Sequence, residues 1–394
     1  MPSSSPAALQ AAPTVSVVIC TLNEHEAIGP VLRELAAHLQ HVDYEAIVVD
    51  DSDDERTAQA VTAYAADNPA VRLVRLVRRR GGRGLASAAI AGWDSARGRC
   101  LAIMDGDGQH DPALIARMLR RMRDSEAEVV VASRYLDASG SGLCRHRHAL
   151  SRVGVRLSQA LLGLGVADPM SGCFLMRRSW YRQVRPQLSG VGFKILVDVL
   201  ASARRRPYTV QVPTQLRRRR GGASKLDARV VAELAALLLE KRTRGWLPAR
   251  MSLFFAVGLS GMGVHLLLLG ALLMLGMTFW LAQLLAICTA MGWNFQCNNL
   301  LTFRDRRLSG MRLLHGMAMF YAACLGGAIL SELIGSGLHA LRLPWWLAGA
   351  AGALAAGGWN YHAAKRSAWR PEDAAAGVAP SRDTVAASPL AMKE

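Results

Sequence analysis

Two carboxylates and an amide follow one apolar run of the sequence. Ile103 and Met104 lead into Asp105, Asp107 and Gln109, which are spaced two residues apart. An apolar run that ends in such a cluster is typical of a strand that presents oxygen atoms at the rim of a sheet. Oxygen ligands of this kind suit Mg²⁺ or Mn²⁺, and such an ion can hold a diphosphate. The same residues are also typical of a solvated turn, so the pattern alone leaves both interpretations open.

The segments around this cluster alternate between strand and helix. Predicted strands are Val15–Ile19, Tyr44–Val49, Val71–Val77, Cys100–Met104 and Val129–Ala132, and predicted helices are Glu26–Leu39, Thr57–Ala66, Leu85–Ala96 and Pro112–Arg123. This alternation predicts a mostly parallel α/β sheet, in which ligands bind beyond the carboxyl ends of the strands. Four acidic residues follow such ends, which favours one shared site: Asp50, Asp51, Asp105 and Asp107.

The segments further along are more basic. Leu136–Arg156 is predicted to be an irregular, mobile loop, Phe193–Ala203 a helix and Val210–Pro213 a short strand. The run Arg217–Lys225 follows and contains two adjacent glycines. Basic runs are usually solvated, but the glycines permit close backbone approach to a ligand, for which phosphate is the natural candidate.

From residue 253 the sequence is mostly apolar. Leu253–Leu275 contains no Asp, Glu, Lys or Arg and is long enough to cross a hydrocarbon core about 30 Å thick. Three further segments have the same character: Phe279–Cys297, Leu313–Leu333 and Leu343–Tyr361. Basic residues gather before the first, between the second and third, and after the fourth. The positive-inside rule therefore predicts a multi-pass protein of the inner (cytoplasmic) membrane, with its front domain and both termini in the cytoplasm.

Composition narrows the class of protein. The chain has 394 residues, is 51% hydrophobic and carries a formal net charge of +17. This positive charge could bind nucleic acid, phosphorylated substrates or an anionic membrane surface. The predicted spans favour the membrane surface. The sequence shows no aromatic-basic pattern typical of RNA binding, so nucleic acid is not an expected partner. The seven cysteines have no CxxC or metal-finger spacing, so we expect no structural disulfides.

The predicted organisation has two domains joined by a short segment. Residues 15–226 form the α/β domain, 227–250 a linker and 251–366 the membrane domain, while residues 1–14 and 367–394 are expected to be disordered. The first residues lack the pattern of a cleaved signal peptide. Leu226–Lys241 is predicted to be a helix, which either lies along the membrane surface or packs on the α/β domain.

Eight segments resemble, in their order, one family of enzymes. They are Val17–Glu24, Val48–Asp54, Arg83–Leu85, Met104–Pro112, Ser133–Tyr135, Asp168–Phe174, Gly192–Leu196 and Arg219–Lys225. Together they resemble glycosyltransferase family 2, and specifically the dolichol- or polyprenol-phosphate mannose synthases. The four apolar segments resemble the GtrA-like membrane domain that is often fused to such enzymes. The resemblance implies a GT-A (Rossmann-like) cytoplasmic domain followed by an all-α transmembrane domain.

The resemblance also implies roles for individual residues. The nucleotide would be bound by Cys20, Leu22, Glu24, Asp50, Asp51, Gly84, Asp105 and Asp107. The metal ion, Mg²⁺ or Mn²⁺, would be bound by Asp105, Asp107 and Gln109. The diphosphate and lipid phosphate would be bound by Arg134, Arg147, Ser151, Arg219 and Lys225, with Asp107, Arg134 and Arg219 as the catalytic set. Glu24 and Asp51 could instead cap the helices that follow them.

Two departures from the family pattern affect these roles. Leu22 stands where the family commonly has an aromatic residue near the base, which leaves the choice of nucleotide open. Residues 53–56 replace the usual Pro-Asp-Gly turn, which should change the shape of the loop more than its chemistry.

The resemblance implies transfer of mannose from GDP-mannose to dolichyl or polyprenyl phosphate, with inversion to a β-linked product. Three alternatives remain. The donor could be UDP-glucose, the acceptor could be a glycan or diacylglycerol, or the membrane domain could translocate the lipid carrier rather than anchor the enzyme.

Overall fold

The computed structural model describes residues 12–52, 54–76, 84–136, 145–190, 192, 194–203, 205–217, 228–343 and 345–369. The chain divides into two units, residues 1–256 and 257–394. Backbone alone is described for a few helical positions, among them residues 145–153.

In the described part of the first unit, seven strands form one sheet. They are β1 (Val15–Thr21), β2 (Tyr44–Asp50), β3 (Val71–Arg75), β4 (Cys100–Asp105), β5 (Val129–Ser133), β6 (Phe174–Arg177) and β7 (Thr209–Pro213). Their order across the sheet is β3-β2-β1-β4-β6-β5-β7. Strand β6 runs antiparallel to β4 and β5, and the other pairs are parallel. The predicted α/β class with a mostly parallel sheet is therefore confirmed.

Helices cover both faces of this sheet. They are α1 (His25–Leu39), α2 (Arg56–Asp67), α3 (Leu85–Ser95), α4 (Ala113–Ser125), α5 (Arg145–Leu162), α6 (Arg178–Val184), α7 (Ile195–Ala201) and α8 (Ala228–Arg242). Every residue of β1 is buried, because alternate side chains enter two different cores. Val18 packs in one hydrophobic cluster, whereas Val17 and Ile19 pack in the other. This explains why the strand reads as a continuous apolar run.

Helix α3 packs closely on the sheet. A methyl group added at Gly92 would lie 2.5 Å from the Cγ1 of Val18. Its neighbour Trp93 is fully buried and meets the rings of Phe174 and Tyr181 edge-on, at centroid distances of 5.8 and 5.5 Å. This packing fixes α3, and with it the residue Gly84 that precedes the helix.

The structure corrects the prediction for Leu136–Arg156. Helix α5 begins at Arg145, so residues 145–156 are helical rather than irregular. Val155 and Ser158 of this helix are buried in the α/β unit, and such tertiary packing stabilises a helix whose basic sequence gave little sign of one. Strand β6 and helix α6 were also missing from the prediction, because both are short.

Helix α8 packs against the α/β unit. Leu237 and Leu238 are buried in the cluster that also holds Trp93, whereas Val231 and Leu239 are 43% and 42% exposed. Of the two alternatives for this segment, its buried side chains support packing on the α/β domain.

The second unit is helical where the structure describes it. Helices α9 (Ala249–Met274), α10 (Phe279–Cys297), α11 (Met311–Ala340) and α12 (Trp345–Arg366) coincide with the four predicted spans, and α9 begins in the first unit. Among the described residues, α9 is the one helix whose length and apolar composition meet the requirement for crossing a membrane.

Candidate active site

The carboxyl ends of β1, β2 and β4 lie side by side. The strand register places Thr21 opposite Asp50 and Cys20 opposite Asp105. Strand β6 is antiparallel to β4 and pairs Phe174 with Ile103, so the residues just before Phe174 lie at the same edge. The edge thus collects chemistry-bearing residues from several distant segments of the chain.

Asp50 holds the ends of β1 and β2 together. Its Oδ1 accepts hydrogen bonds from the Thr21 hydroxyl at 3.0 Å and from the backbone N–H and hydroxyl of Ser52. The side chain is 1% exposed. The geometry gives Asp50 a structural role at the strand ends, next to the predicted nucleotide-binding residues.

Glu24 and Asp51 are buried at this edge, and neither carboxylate caps the helix that follows it. Glu24 precedes α1, but its carboxylate makes no capping hydrogen bond. Asp51 lies well before α2, whose N-terminal flanking residue is Glu55, and its N–H donates to the Thr21 carbonyl at 3.1 Å. The capping alternative therefore receives no support.

Cys20 lies between two acidic side chains. Burial raises the pKa of its thiol, and the charges of Asp105 and Asp51 raise that pKa further. The thiol therefore stays neutral and serves as packing. The next predicted nucleotide-binding residue, Leu22, is half-buried.

Asp105 is the last residue of β4, and Asp107 and Gln109 follow it; residues 105–109 are called the acidic loop below. Asp107 is 4% exposed and accepts a hydrogen bond at 3.0 Å from the N–H of Gln109. Asp105 is 34% exposed, and its Oδ2 lies 3.6 Å from the Nε2 of the buried His110. Gly172 packs directly against this pair, because a methyl group there would lie 2.8 Å from Asp105 Oδ2.

These donors fit a hard divalent cation. Mg²⁺ commonly binds through one or two carboxylates, with substrate phosphates supplying further oxygen ligands. Asp105 and Asp107 would supply the carboxylates and Gln109 an amide oxygen. The described residues contain no group of three or more His, Cys, Asp or Glu side chains placed to hold a metal ion.

Arg134 follows β5 and is held by Asp168. Its Nε and Nη2 donate to the two carboxylate oxygens at 2.6 and 2.8 Å, and its backbone N–H donates at 3.2 Å. Burial lowers the pKa of the guanidinium, but the hydrogen bonds with Asp168 outweigh this and hold the pKa above its usual value. Two of its donor groups are thus occupied by Asp168, and the sequence gave no sign of this ion pair.

Lys194 is the residue whose role the sequence did not reveal. Burial lowers the pKa of its ammonium group, Arg134 lowers it further, and Asp168 and Asp105 oppose this shift. Lys194 therefore lies within the electrostatic reach of Arg134, Asp168 and Asp105. The segment Gly192–Leu196 was part of the family resemblance, and a lysine within it was the available signal.

The basic run begins next to the acidic loop. The N–H of Arg217 donates to the Gln109 carbonyl at 2.9 Å, and its guanidinium pairs with Glu34 and Asp111 at 2.6 and 2.9 Å. Arg219 and Lys225 lie outside the described residues, as do the side chains of Arg147 and Ser151. Their predicted phosphate contacts remain predictions.

Gly84 stands at the start of α3 with a φ of +85°, a conformation that favours glycine. The backbone N–H of Ala86, two residues further on, donates a hydrogen bond to the Gly192 carbonyl at 3.2 Å. The start of α3 is thereby joined to the segment that carries Lys194.

Comparison with known families agrees with this arrangement. Residues 16–185 match the model for glycosyl transferase family 2, and residues 253–369 match the model for the GtrA/DPMS transmembrane domain. A dolichol-phosphate mannosyltransferase of Pyrococcus furiosus is 28% identical over 359 residues, which cover 90% of this chain and 99% of the relative. The enzyme of the same name from Saccharomyces cerevisiae is 28% identical and covers 57% of this chain and 85% of its own.

Two solved structures resemble the chain more distantly. Glucosyl-3-phosphoglycerate synthase from Mycobacterium tuberculosis, in complex with Mn²⁺, UDP and glucosyl-3-phosphoglycerate, has a TM-score of 0.44 at 18% identity and covers 59% of this chain and 80% of its own. Mannosyl-3-phosphoglycerate synthase from Rubrobacter xylanophilus has a TM-score of 0.43 at 20% identity, with coverages of 59% and 73%. At this level of similarity neither structure bears on the substrate.

The chain is therefore a glycosyltransferase with a GT-A-like α/β unit. Its residues 16–185 are a glycosyltransferase family 2 domain, and residues 253–369 are a C-terminal GtrA/DPMS transmembrane domain.

Substitution of Gly172 by alanine should lower the rate of sugar transfer about 10- to 100-fold, because small displacements of catalytic groups have effects of this size. The added methyl group would lie 2.8 Å from Asp105 Oδ2 and 3.3 Å from His110 Nε2, so the carboxylate must move. Initial rates and the thermal unfolding midpoint would be measured together.

Gly165→Ala is the matched control, since no described atom lies within 4 Å of a methyl group at that position. Equal rates for Gly172→Ala and the wild type would show that the position of Asp105 is unimportant for transfer.

Proposed function

We propose that this chain is a membrane-bound inverting glycosyltransferase that transfers mannose from GDP-mannose to dolichyl or polyprenyl phosphate and forms a β-linked product. The observation that carries the proposal is the placement of Asp105 at the end of β4, followed by the buried Asp107, at the same sheet edge as the ends of β1 and β2. This placement occurs in a chain that matches a dolichol-phosphate mannosyltransferase along almost its whole length.

The donor would bind across the ends of β1, β2 and β4. Glu24 and Asp51 would accept hydrogen bonds from the base and ribose. Asp105, Asp107 and Gln109 would hold Mg²⁺ or Mn²⁺, which stabilises the charge of the departing nucleoside diphosphate.

The acceptor requires no strong general base. A phosphate monoester has a second pKa of about 6, so it is largely dianionic at neutral pH. Its oxygen can attack the anomeric carbon as the nucleoside diphosphate leaves, and a single displacement inverts that centre. Catalysis then consists of positioning and electrostatic stabilisation. Arg147, Ser151, Arg219 and Lys225 would hold the two phosphorylated substrates close together against their mutual repulsion.

The α/β unit would work at the cytoplasmic face, with the membrane domain as a multi-pass anchor. The GtrA/DPMS match supports a membrane location. The basic residues before α9 and between α10 and α11 support the cytoplasmic placement of both termini.

The direct test is transfer of radiolabelled sugar to a short polyprenyl phosphate by the purified full-length chain, with and without EDTA. Metal-dependent labelling of the lipid from GDP-mannose is expected. Labelling from UDP-glucose alone would keep the mechanism and change the donor, a possibility that Leu22 motivates because it replaces an aromatic residue. Absence of lipid labelling from either donor would contradict the proposal.

Substitution of Asp107 by alanine should reduce transfer at least a hundredfold, the scale on which loss of one preorganised electrostatic contact acts. The chain should remain folded, as judged by its thermal midpoint. Asp124→Asn is the control, because Asp124 is an exposed carboxylate on α4 whose side chain is 58% exposed. Substantial turnover by the Asp107 variant would remove the metal role.

A further inference from the structure

Residues of the transmembrane domain recur at a fixed spacing. The pairs that stand 66 positions apart are Gly261 and Gly327, Trp280 and Trp346, Gly292 and Gly358, Trp293 and Trp359, Asn294 and Asn360, and Phe295 and Tyr361. No gap is needed to bring them into register. The sequence Gly-Trp-Asn followed by an aromatic residue thus occurs once in α10 and once in α12.

The helix boundaries and turns recur at the same spacing. Helix α9 ends at Met274 and α11 at Ala340, and α10 begins at Phe279 and α12 at Trp345. Each first helix is followed by one residue with positive φ, Gly276 at +80° and Arg342 at +65°. Glycine adopts this conformation readily, but an arginine rarely does. The two turns therefore share their geometry although the residues at this position differ.

The hydrogen bonds of the two turns are also equivalent. The N–H of Met277 donates to the Leu272 carbonyl at 3.1 Å, and the N–H of Leu343 donates to the Leu338 carbonyl at 3.2 Å. This is the six-to-one bond that ends a helix in a Schellman motif. Both helices therefore end by the same device at corresponding residues.

In each helix pair, an asparagine of the second helix lies against a buried glycine of the first. A methyl group at Gly261 would overlap the amide of Asn294. The same addition at Gly327 would overlap the amide of Asn360. Small residues allow such close helix contact within membranes. The two contacts occupy corresponding places in the two pairs.

The neighbouring tryptophans show one instructive difference. The indole N–H of Trp293 donates to the Ser260 hydroxyl at 3.0 Å. The position that corresponds to Ser260 is Gly326, which has no side chain to accept a bond. The indole of Trp359 donates instead to the Ala323 carbonyl at 3.2 Å, so the ring keeps its place while its acceptor changes.

The two helix pairs meet through a reciprocal aromatic contact. Phe303 and Trp369 correspond to each other and stack with their centroids 4.5 Å apart. Phe295 contacts Trp369 at 5.3 Å, and its counterpart Tyr361 contacts Phe303 at 6.3 Å. A contact in which residue i of one copy meets j of the other, and j meets i, is the property of a two-fold interface.

We infer that the transmembrane domain consists of two copies of one helix pair, residues 257–303 and 323–369, which bind each other about a pseudo-two-fold axis. The interaction surface is the aromatic cluster of Phe295, Phe303, Tyr361 and Trp369, and the partner of each copy is the other copy in the same chain.

Asn299 departs from the symmetry, since its counterpart is Lys365. Its amide binds the backbone of Leu308 and the indole N–H of Trp369, which fastens the connection between the copies.

Alanine substitutions at the two corresponding glycines test this equivalence. The full-length protein is heated in detergent, and the temperature at which half of it is no longer monodisperse is measured. Gly261→Ala and Gly327→Ala should each lower this temperature by about 5 °C or more. Gly263→Ala and Gly337→Ala are the controls, because no described atom lies within 4 Å of a methyl group at either position. Gly261→Ala should be rescued by Asn294→Ala, and Gly327→Ala by Asn360→Ala.

Double-mutant cycles test the reciprocal surface. The coupling between Phe295 and Trp369 should equal that between Tyr361 and Phe303 within about twofold, whereas Phe295 and Tyr361 should couple weakly. A loss at one glycine alone, or coupling in one aromatic pair alone, would overturn the duplication.

A second inference concerns the α/β unit and rests on the proposed function. Lys241 of α8 and Asp198 of α7 form a buried ion pair at 2.6 Å, with side chains 6% and 1% exposed. The ammonium group also donates to the Gln187 carbonyl and the Ser202 hydroxyl, both at 2.8 Å. The second oxygen of Asp198 accepts bonds from the N–H and hydroxyl of Ser189 at 2.8 Å.

This network holds both ends of the segment that carries Lys194. Gln187 and Ser189 precede the segment, and Asp198 and Ser202 follow it. A buried ion pair whose remaining donors and acceptors are satisfied keeps its geometry, and loss of one partner leaves an uncompensated charge. We propose that Lys241 and Asp198 are positioning residues, which hold this segment, through Gly192, against the start of α3 and so set the place of the predicted nucleotide-binding residue Gly84.

Steady-state kinetics of Lys241→Met distinguish positioning from stability. The KM for the nucleotide sugar should rise about tenfold while the KM for the lipid phosphate stays unchanged, and Lys241→Arg should recover part of the loss. Arg185→Gln is the control, because it breaks an exposed ion pair with Asp94 at 2.7 Å. A lower thermal midpoint with an unchanged KM for the nucleotide sugar would overturn the positioning role. If the wild type used a donor other than GDP-mannose, the proposed function would fail. The positioning role would still be decided by the same comparison of KM values, measured with that donor.

Discussion

The crowding of negative charge at one sheet edge is the constraint on which the active site depends. Parallel strands bring Asp51 and Asp105 to the same edge on either side of β1, and burial together with their charges raises the pKa of the Cys20 thiol. A diphosphate would add further negative charge. The site therefore requires cations, and the described residues supply Arg134, whose pKa is raised by Asp168 and by the charge of Asp105. Because Asp168 engages Arg134 through two donors, a divalent cation becomes the natural complement to Asp105 and Asp107.

The acidic residues at this edge were predictable from the strand pattern, whereas the basic residues were predicted only through the family resemblance. Asp51, Asp105 and Asp107 each follow an apolar strand, and a parallel sheet sends such residues to one edge whatever the details of packing. The cations belong to segments far away in the chain. Arg134 is buried against Asp168, and Lys194 comes within electrostatic reach of Asp105 through the tertiary fold. In a chain rich in arginine and lysine, only the family resemblance separated such residues from ordinary surface charges.

The same distinction applies to the fold. Strands buried on both faces, such as β1 and β4, can be recognised in the sequence as uninterrupted apolar runs. Strand β6 is short, and its antiparallel direction results from a connection that no local pattern encodes. Helix α5 begins in a basic stretch and depends on buried residues further along, so local reading of residues 145–156 favoured a loop. The four apolar segments were recognisable from composition, whereas their pairing required the contacts of Phe303 and Trp369.

The position of Trp369 near the end of the membrane domain has a consequence for the order in which the parts of the chain fold. Domains generally fold as units during synthesis, beginning with the N-terminal one. The described strands of the α/β unit are complete by residue 213 and its helix α8 by residue 242, so this unit can fold while the later helices are still being made. Both aromatic partners from the first helix pair, Phe295 and Phe303, must wait for Trp369, which the ribosome adds after α12. Until then the first helix pair presents these rings without their main stacking partner.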